Sequence, residues 1–189
     1  MSYGPPRPAG RLLLTPEDKE APARALRLRR LGLGERPEPE LDAFADRLAH
    51  LTGAPYAMVN FIDEERQYFA GLHLPGAPPP APPGRPEVGR WLPRDHGYCP
   101  HVVVRRKALV LEDVRDYPRF AGNPIVYDYG IHSYLGAPLV AAGGMVLGTV
   151  CVADAAPRPW GRTGLETIKS TAAELTARIE RSEADGLPL

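Results

Sequence analysis

The chain has 189 residues, enough for one domain with its own hydrophobic core plus an extension. Its 23 basic and 23 acidic side chains cancel, so no overall field favours nucleic acid or an anionic membrane as a partner. Two cysteines, Cys99 and Cys151, are too few and too far apart in sequence for a disulfide framework, and no C-x-x-C spacing occurs, so a reducing cytoplasm is the expected location.

Residues 1–14 are rich in Pro and Gly and read as a flexible leader whose apolar stretch is too short for a secretory signal. Thr15-Pro16-Glu17-Asp18 resembles an N-cap with Pro and acids in a first turn, so a helix is expected from there to about Leu31, within an N-terminal unit of residues 15–37. Pro37-Glu38-Pro39-Glu40 opens a second helix, in which Leu41, Phe44, Leu48 and Leu51 recur three and four apart. The stretches Tyr56–Ile62 and Gln67–Leu72, separated by an acidic turn, read as a β-hairpin. Residues 75–93 contain eight prolines and no periodicity, which predicts an extended loop.

A helix is expected from about Asp95 to Arg106, a strand at Ala108–Leu111, short helices across Tyr117–Tyr129, and strands at Ser133–Val140 and Met145–Ala153. The uncharged run Tyr134–Ala153 has the length of a membrane span, but Pro138, Gly143-Gly144 and its many valines favour two buried strands, so no membrane insertion is expected. The last helix is expected to start at a capping box, Thr163-Gly164-Leu165-Glu166. Its apolar positions Leu165, Ile168, Ala172, Leu175 and Ile179 have coiled-coil spacing, which suggests a homodimer seam or a cover over one face of a sheet. Residues 183–189 read as a tail. Only three of the basic residues are Lys, which together with abundant Ala, Gly and Pro points to a bacterial source of high GC content, such as an actinobacterium.

The segments RDHGYCPHVV, LVLEDVRDYPRFAGNPIVYDYGIHSYLGAPLV and GMVLGTVCVAD occur in that order between Arg94 and Asp154. In this series a Cys-x-His helix start, a strand ending in an acid, a D-x-R-F-x-x-N-P loop, a G-A-P-L strand and a G-x-x-C-V strand resemble the GAF domain family. The resemblance covers residues 38–182. It implies an α+β fold in which a central antiparallel sheet of five or six strands is flanked by helices on both sides. It also implies a sensory or regulatory module, here a stand-alone single domain, that binds a small-molecule ligand and signals through dimerisation or to a signalling protein partner in trans. No enzymatic activity is expected from the main reading.

Within that resemblance the ligand would lie between the sheet and the Asp95–Tyr129 segment, against Tyr98, Cys99, His101, Phe120, Tyr127, Tyr129, His132 and Tyr134. Tyrosines suit such a role because they offer flat apolar area with a hydrogen-bonding tip. The bland alternative is that several rings, Phe61 and Phe120 first, are plain core. No cofactor is assigned. Cyclic-nucleotide members carry an Asn-Lys pair that this chain lacks, and bilin-binding members carry a thiol where this chain reads Tyr129-Gly130-Ile131-His132-Ser133. Haem through His132 or His101 is a further option.

Two chemistries compete with the sensor reading. His96, Cys99 and His101 form the most compact set of metal-ligand types, although on a helix His101 points away from the shared face of the other two, so no metal is assigned. Cys99 is also the candidate nucleophile of a thiol redox protein, because flanking histidines and a helix start lower a thiol's pKa. That reading resembles free methionine sulfoxide reductases, which are GAF-like, but those enzymes carry a further Cys and a Glu where this chain has Tyr127 and Tyr134. A third option is a ligand-free GAF dimer that acts as a scaffold.

Overall fold

The computed structural model describes residues 15–76 and 89–189. The leader over residues 1–14 and most of the expected Pro-rich loop lie outside the described residues. Helices α1 (Ala21–Leu31) and α2 (Pro39–Thr52) precede the hairpin β1 (Tyr56–Ile62) and β2 (Arg66–His73), followed by β3 (Trp91–Pro93) and α3 (Cys99–Arg105). Strand β4 (Leu109–Leu111), a 3₁₀ turn at Val114–Asp116, and helices α4 (Pro118–Ala121) and α5 (Pro124–Tyr129) come next. Strands β5 (Ser133–Val140) and β6 (Val146–Asp154) and the long α6 (Gly161–Asp185) complete the fold.

The six strands form one sheet in the order β3-β2-β1-β6-β5-β4, and every described pairing is antiparallel. Because side chains alternate along a strand, the sheet has two distinct faces. One presents Ala57, Val59, Leu135, Ala137, Leu139, Leu147, Val150 and Val152 to α2 and α6, whose Leu41, Phe44, Leu48, Ile168, Leu175 and Ile179 are buried against it. Each such large side chain contributes roughly 1.5–3 kcal/mol on removal from water. Gly71 allows α2 to approach β2, since a Cβ there would stand 2.3 Å from the Leu41 carbonyl oxygen.

The apolar seams of α2 and α6 are therefore spent inside the chain. Leu41 and Leu48 are 0% and 1% exposed, whereas Leu51 is 63% exposed and does not continue the seam. The heptad-like spacing is explained by covering the sheet, and it no longer supports the expected dimer.

Four elements differ from expectation. Helix α1 starts at Ala21 because Asp18 folds back, accepting from the Glu20 N–H and pairing with the buried Arg24, so residues before it make a turn. Helix α6 starts at Gly161 and not at the Thr163 box, because the Glu112 carboxylate accepts from the Gly161 N–H at 3.0 Å. Strand β3 was hidden in the Pro-rich stretch: it is only three residues long, and its edge is held by Trp91 stacking at 4.2 Å on Tyr68, with Arg66 over the indole. Helix α3 is also shorter than expected, since Arg94–Tyr98 form a turn and a bend before it.

Candidate functional site

The second face of the sheet carries Tyr56, Met58 and Asn60 from β1, Gln67 and Phe69 from β2, Tyr134 and Gly136 from β5, and Thr149, Cys151 and Ala153 from β6. It is roofed by α3, α4 and α5 and the turns that join them. Between roof and sheet lies a cavity of about 60 Å3, lined by Tyr56, Met58, Gln67, Phe69, Leu92, Gly97, Tyr98, Cys99, Ile125, Tyr129, Ile131, Tyr134 and Ala153. Its walls are almost wholly apolar. Burial keeps the Tyr98 phenol protonated well above its ordinary range, and burial followed by the neighbouring Cys99 and Cys151 does the same for Tyr134. Tyr98 is 1% exposed, and its hydroxyl has no hydrogen-bond partner. A buried hydroxyl without a partner costs about 1–3 kcal/mol, so this is an unmet donor beside an open space.

Of the eight candidates from the sequence, Tyr98, Cys99, Tyr129 and Tyr134 line the cavity, and the other four do not. His101 is buried behind Phe120, with ring centroids 5.0 Å apart, and Phe120 in turn meets the edge of Tyr98 at 5.6 Å. Tyr127 and His132 do not line the cavity. Burial first, then the charges of Arg119, Arg105 and Arg94, lowers the His101 pKa to about 4, so it is neutral near pH 7. The missed wall residues Tyr56, Met58 and Ala153 follow the two-residue period of β1 and β6, which was the readable signal.

The roof is fastened by Asn123. Its Oδ1 accepts from the Gly97 and Ile125 N–H groups at 2.8 and 3.0 Å, and its Nδ2 donates to the Gly97 carbonyl at 2.9 Å. The Asn of the N-P motif thus caps α5 and clamps the turn before α3. Asp113 pairs with Arg115, and Arg119 lies near the Phe120 ring.

The strongest departure from the sequence concerns the thiols. Cys99 is the first residue of α3 and Cys151 lies in the middle of β6, yet their sulfurs are 3.6 Å apart and both are buried free cysteines. The Tyr134 hydroxyl stands 3.2 Å from the Cys99 sulfur. Hydrogen bonding from Cys151 lowers the Cys99 pKa against the opposing effect of burial, and the Thr149, Tyr134 and Asn60 side chains add to it. The same interaction raises the Cys151 thiol well above its ordinary range. Asn60 Oδ1 and Thr149 Oγ1 have no partner within full hydrogen-bond geometry, while Asn60 Nδ2 donates to Gln67 at 2.9 Å.

The third cluster does not assemble as a metal site. His96 pairs with Asp95 and Asp128, His101 packs on Phe120, and Cys99 faces Cys151. Among the described residues no three His, Cys, Asp or Glu side chains converge on one point. No helix among them is long and apolar enough to cross a membrane.

The six-stranded sheet and its two helical layers agree with known structures. A free methionine-R-sulfoxide reductase from Neisseria meningitidis superposes with a TM-score of 0.61 at 16% identity, over 90% of this chain and 96% of that one. A GAF domain from a phosphoenolpyruvate-protein phosphotransferase of Coxiella burnetii does so at 0.59 and 16%, over 94% and 99%. The sequence model described as "GAF domain" matches residues 36–179, and the chain belongs to the GAF domain family. A cyclic di-GMP phosphodiesterase of Pseudomonas aeruginosa is 30% identical over 172 residues, which are 87% of this chain and 26% of that protein. The chain thus spans about a quarter of that relative's length.

Proposed function

We propose that this GAF domain is a sensor that takes a small, largely apolar molecule, no larger than a single ring, into the cavity under α3 and α5. The observation that carries the reading is the buried, unpartnered Tyr98 hydroxyl on the wall of an otherwise apolar space. An apolar cavity of about 150 Å3 is known to take benzene, so a space of about 60 Å3 accepts one ring only with a modest outward shift of the roof. Haem, bilin or a cyclic dinucleotide exceeds that space severalfold.

The output passes to another protein or to a second copy of the chain. The named activity of the Pseudomonas relative belongs to a protein about four times as long as the aligned part, and it supports control of cyclic di-GMP turnover as the regulated output. The alternative of a free methionine sulfoxide reductase lacks support at Tyr127, which is off the cavity wall, and at Tyr134, whose phenol faces Cys99 where a substrate-binding carboxylate would be wanted. Native mass spectrometry of freshly purified protein tests the sensor reading. A stoichiometric small adduct that persists in Cys99→Ser supports it, whereas an adduct lost with Cys99 supports thiol chemistry instead.

A further inference from the structure

We propose that Cys99 and Cys151 form a dithiol–disulfide pair, oxidised by hydrogen peroxide that reaches Cys99 through the cavity. The proposal is independent of which ligand the cavity senses. Three observations carry it. First, the sulfurs are 3.6 Å apart, so a disulfide of about 2.05 Å requires a closure of roughly 1.5 Å. Second, the two cysteines are unequal: Cys99 lines the cavity, and Cys151 lies behind it, absent from the wall. Third, both thiols are buried, at 5% and 0% exposure, which shuts out glutathione and protein disulfides as oxidants while a molecule the size of hydrogen peroxide fits the cavity.

The chemistry balances within the pair and one peroxide. The Cys99 thiolate attacks one peroxide oxygen, the O–O bond breaks, and hydroxide leaves and is protonated to water, giving a Cys99 sulfenic acid. The Cys151 sulfur then attacks the Cys99 sulfur as its own proton is lost. The S–S bond forms, the S–O bond breaks, and the second hydroxide leaves as water with that proton. Two thiols and one peroxide become one disulfide and two waters. The lowered pKa of Cys99 and the raised pKa of Cys151 agree with these roles of attacking and resolving thiol.

The closure has a direction. Cys151 is fixed on both sides, opposite Met58 of β1 and Gly136 of β5, whereas Cys99 follows Gly97, a left-handed turn residue at φ +74°. The start of α3 therefore moves toward the sheet. Gly97 is held to Asn123, so the displacement passes to α5 and to Tyr129 on the cavity wall. Oxidation state and cavity shape are coupled through that clamp.

The test is a peroxide titration of the full chain, followed by thiol counting under denaturing conditions and by intact mass. Wild-type protein is expected to fall from two free thiols to none, become about 2 Da lighter, remain monomeric on a non-reducing gel, and recover both thiols with dithiothreitol once unfolded. Cys151→Ser, or Cys151→Ala if the serine variant misfolds, is expected to stop at a sulfenic acid that dimedone traps at residue 99 when the protein is unfolded in its presence. Cys99→Ser is expected to slow thiol loss at least tenfold. Two thiols that persist at a dose that oxidises an exposed control thiol overturn the proposal, as does a disulfide that proves intermolecular. Unchanged thiol loss in Cys99→Ser overturns the assignment of Cys99 as the attacking group.

Discussion

The hydroxyl of Tyr134 occupies the space that a side chain at Gly136 would need: a Cβ at Gly136 would stand 2.2 Å from it, and the same hydroxyl lies 3.2 Å from the Cys99 sulfur. Tyr134 and Gly136 are two residues apart on β5 and share the cavity face. The glycine of the G-A-P-L motif is thus a seat for the phenol that contacts the thiol. Gly136→Ala is expected to expel the Tyr134 ring and to destabilise the fold by about 1–3 kcal/mol, as overpacking does. Urea unfolding measures the loss, and an alanine variant as stable as wild type contradicts the packing described.

Tyr134→Phe isolates the hydroxyl from the ring. Because the hydroxyl helps to lower the Cys99 pKa, its removal is expected to raise the pH at which the thiolate forms, while the ring still fills its site. Ultraviolet absorption of the thiolate across a pH titration reads the shift. An unchanged or lower midpoint counts against the contact.

Asn123→Ala removes three hydrogen bonds from a side chain that is 2% exposed. The loss of a cap and of two buried backbone partners is expected to cost roughly 3 kcal/mol. Amide hydrogen exchange is expected to rise first at Gly97 and in α5, with the α2 and α6 face of the sheet little changed. A uniform rise over the whole chain would mean that Asn123 supports global stability and not the roof.

His101 makes stability depend on pH in a definite direction. Its folded pKa of about 4 lies below the ordinary value of 6.5, so the unfolded chain binds the proton more readily. The contribution is fully present above about pH 6.5 and is lost as pH falls toward 4, amounting to roughly 3 kcal/mol. His101→Leu is expected to flatten that part of the profile, as read from urea midpoints between these pH values. A profile equally steep in the variant assigns the effect to other groups.

Much of the fold was legible because local rules and tertiary packing agree there. Leu41, Phe44 and Leu48 are spaced for a helix face and bury that face, and β5 and β6 carry the valines and the Gly-Gly turn that a hairpin needs. Where chemistry came from a distant partner, the sequence was silent. Glu112 capping α6 and Asn123 clamping Gly97 join residues that no local spacing relates. The approach of Cys99 to Cys151 is of the same kind, since it arises only when α3 is laid across β6. His101 and Phe120 pack on each other away from the cavity wall, and the sequence could not separate these sites because aromatic and imidazole rings suit a core and a pocket equally well until depth is known.

The claim that the cavity is the sensory site is tested most directly by amide NMR titration of the protein with phenol, alongside Ala153→Leu, which fills the cavity from the β6 side. The account predicts saturable one-to-one shifts centred on Tyr98, Tyr129 and Ala153. It also predicts that these shifts vanish in a leucine variant whose stability stays within about 1.5 kcal/mol of wild type. Shifts that survive in Ala153→Leu, or the absence of any saturable shift in the wild-type protein, would contradict it.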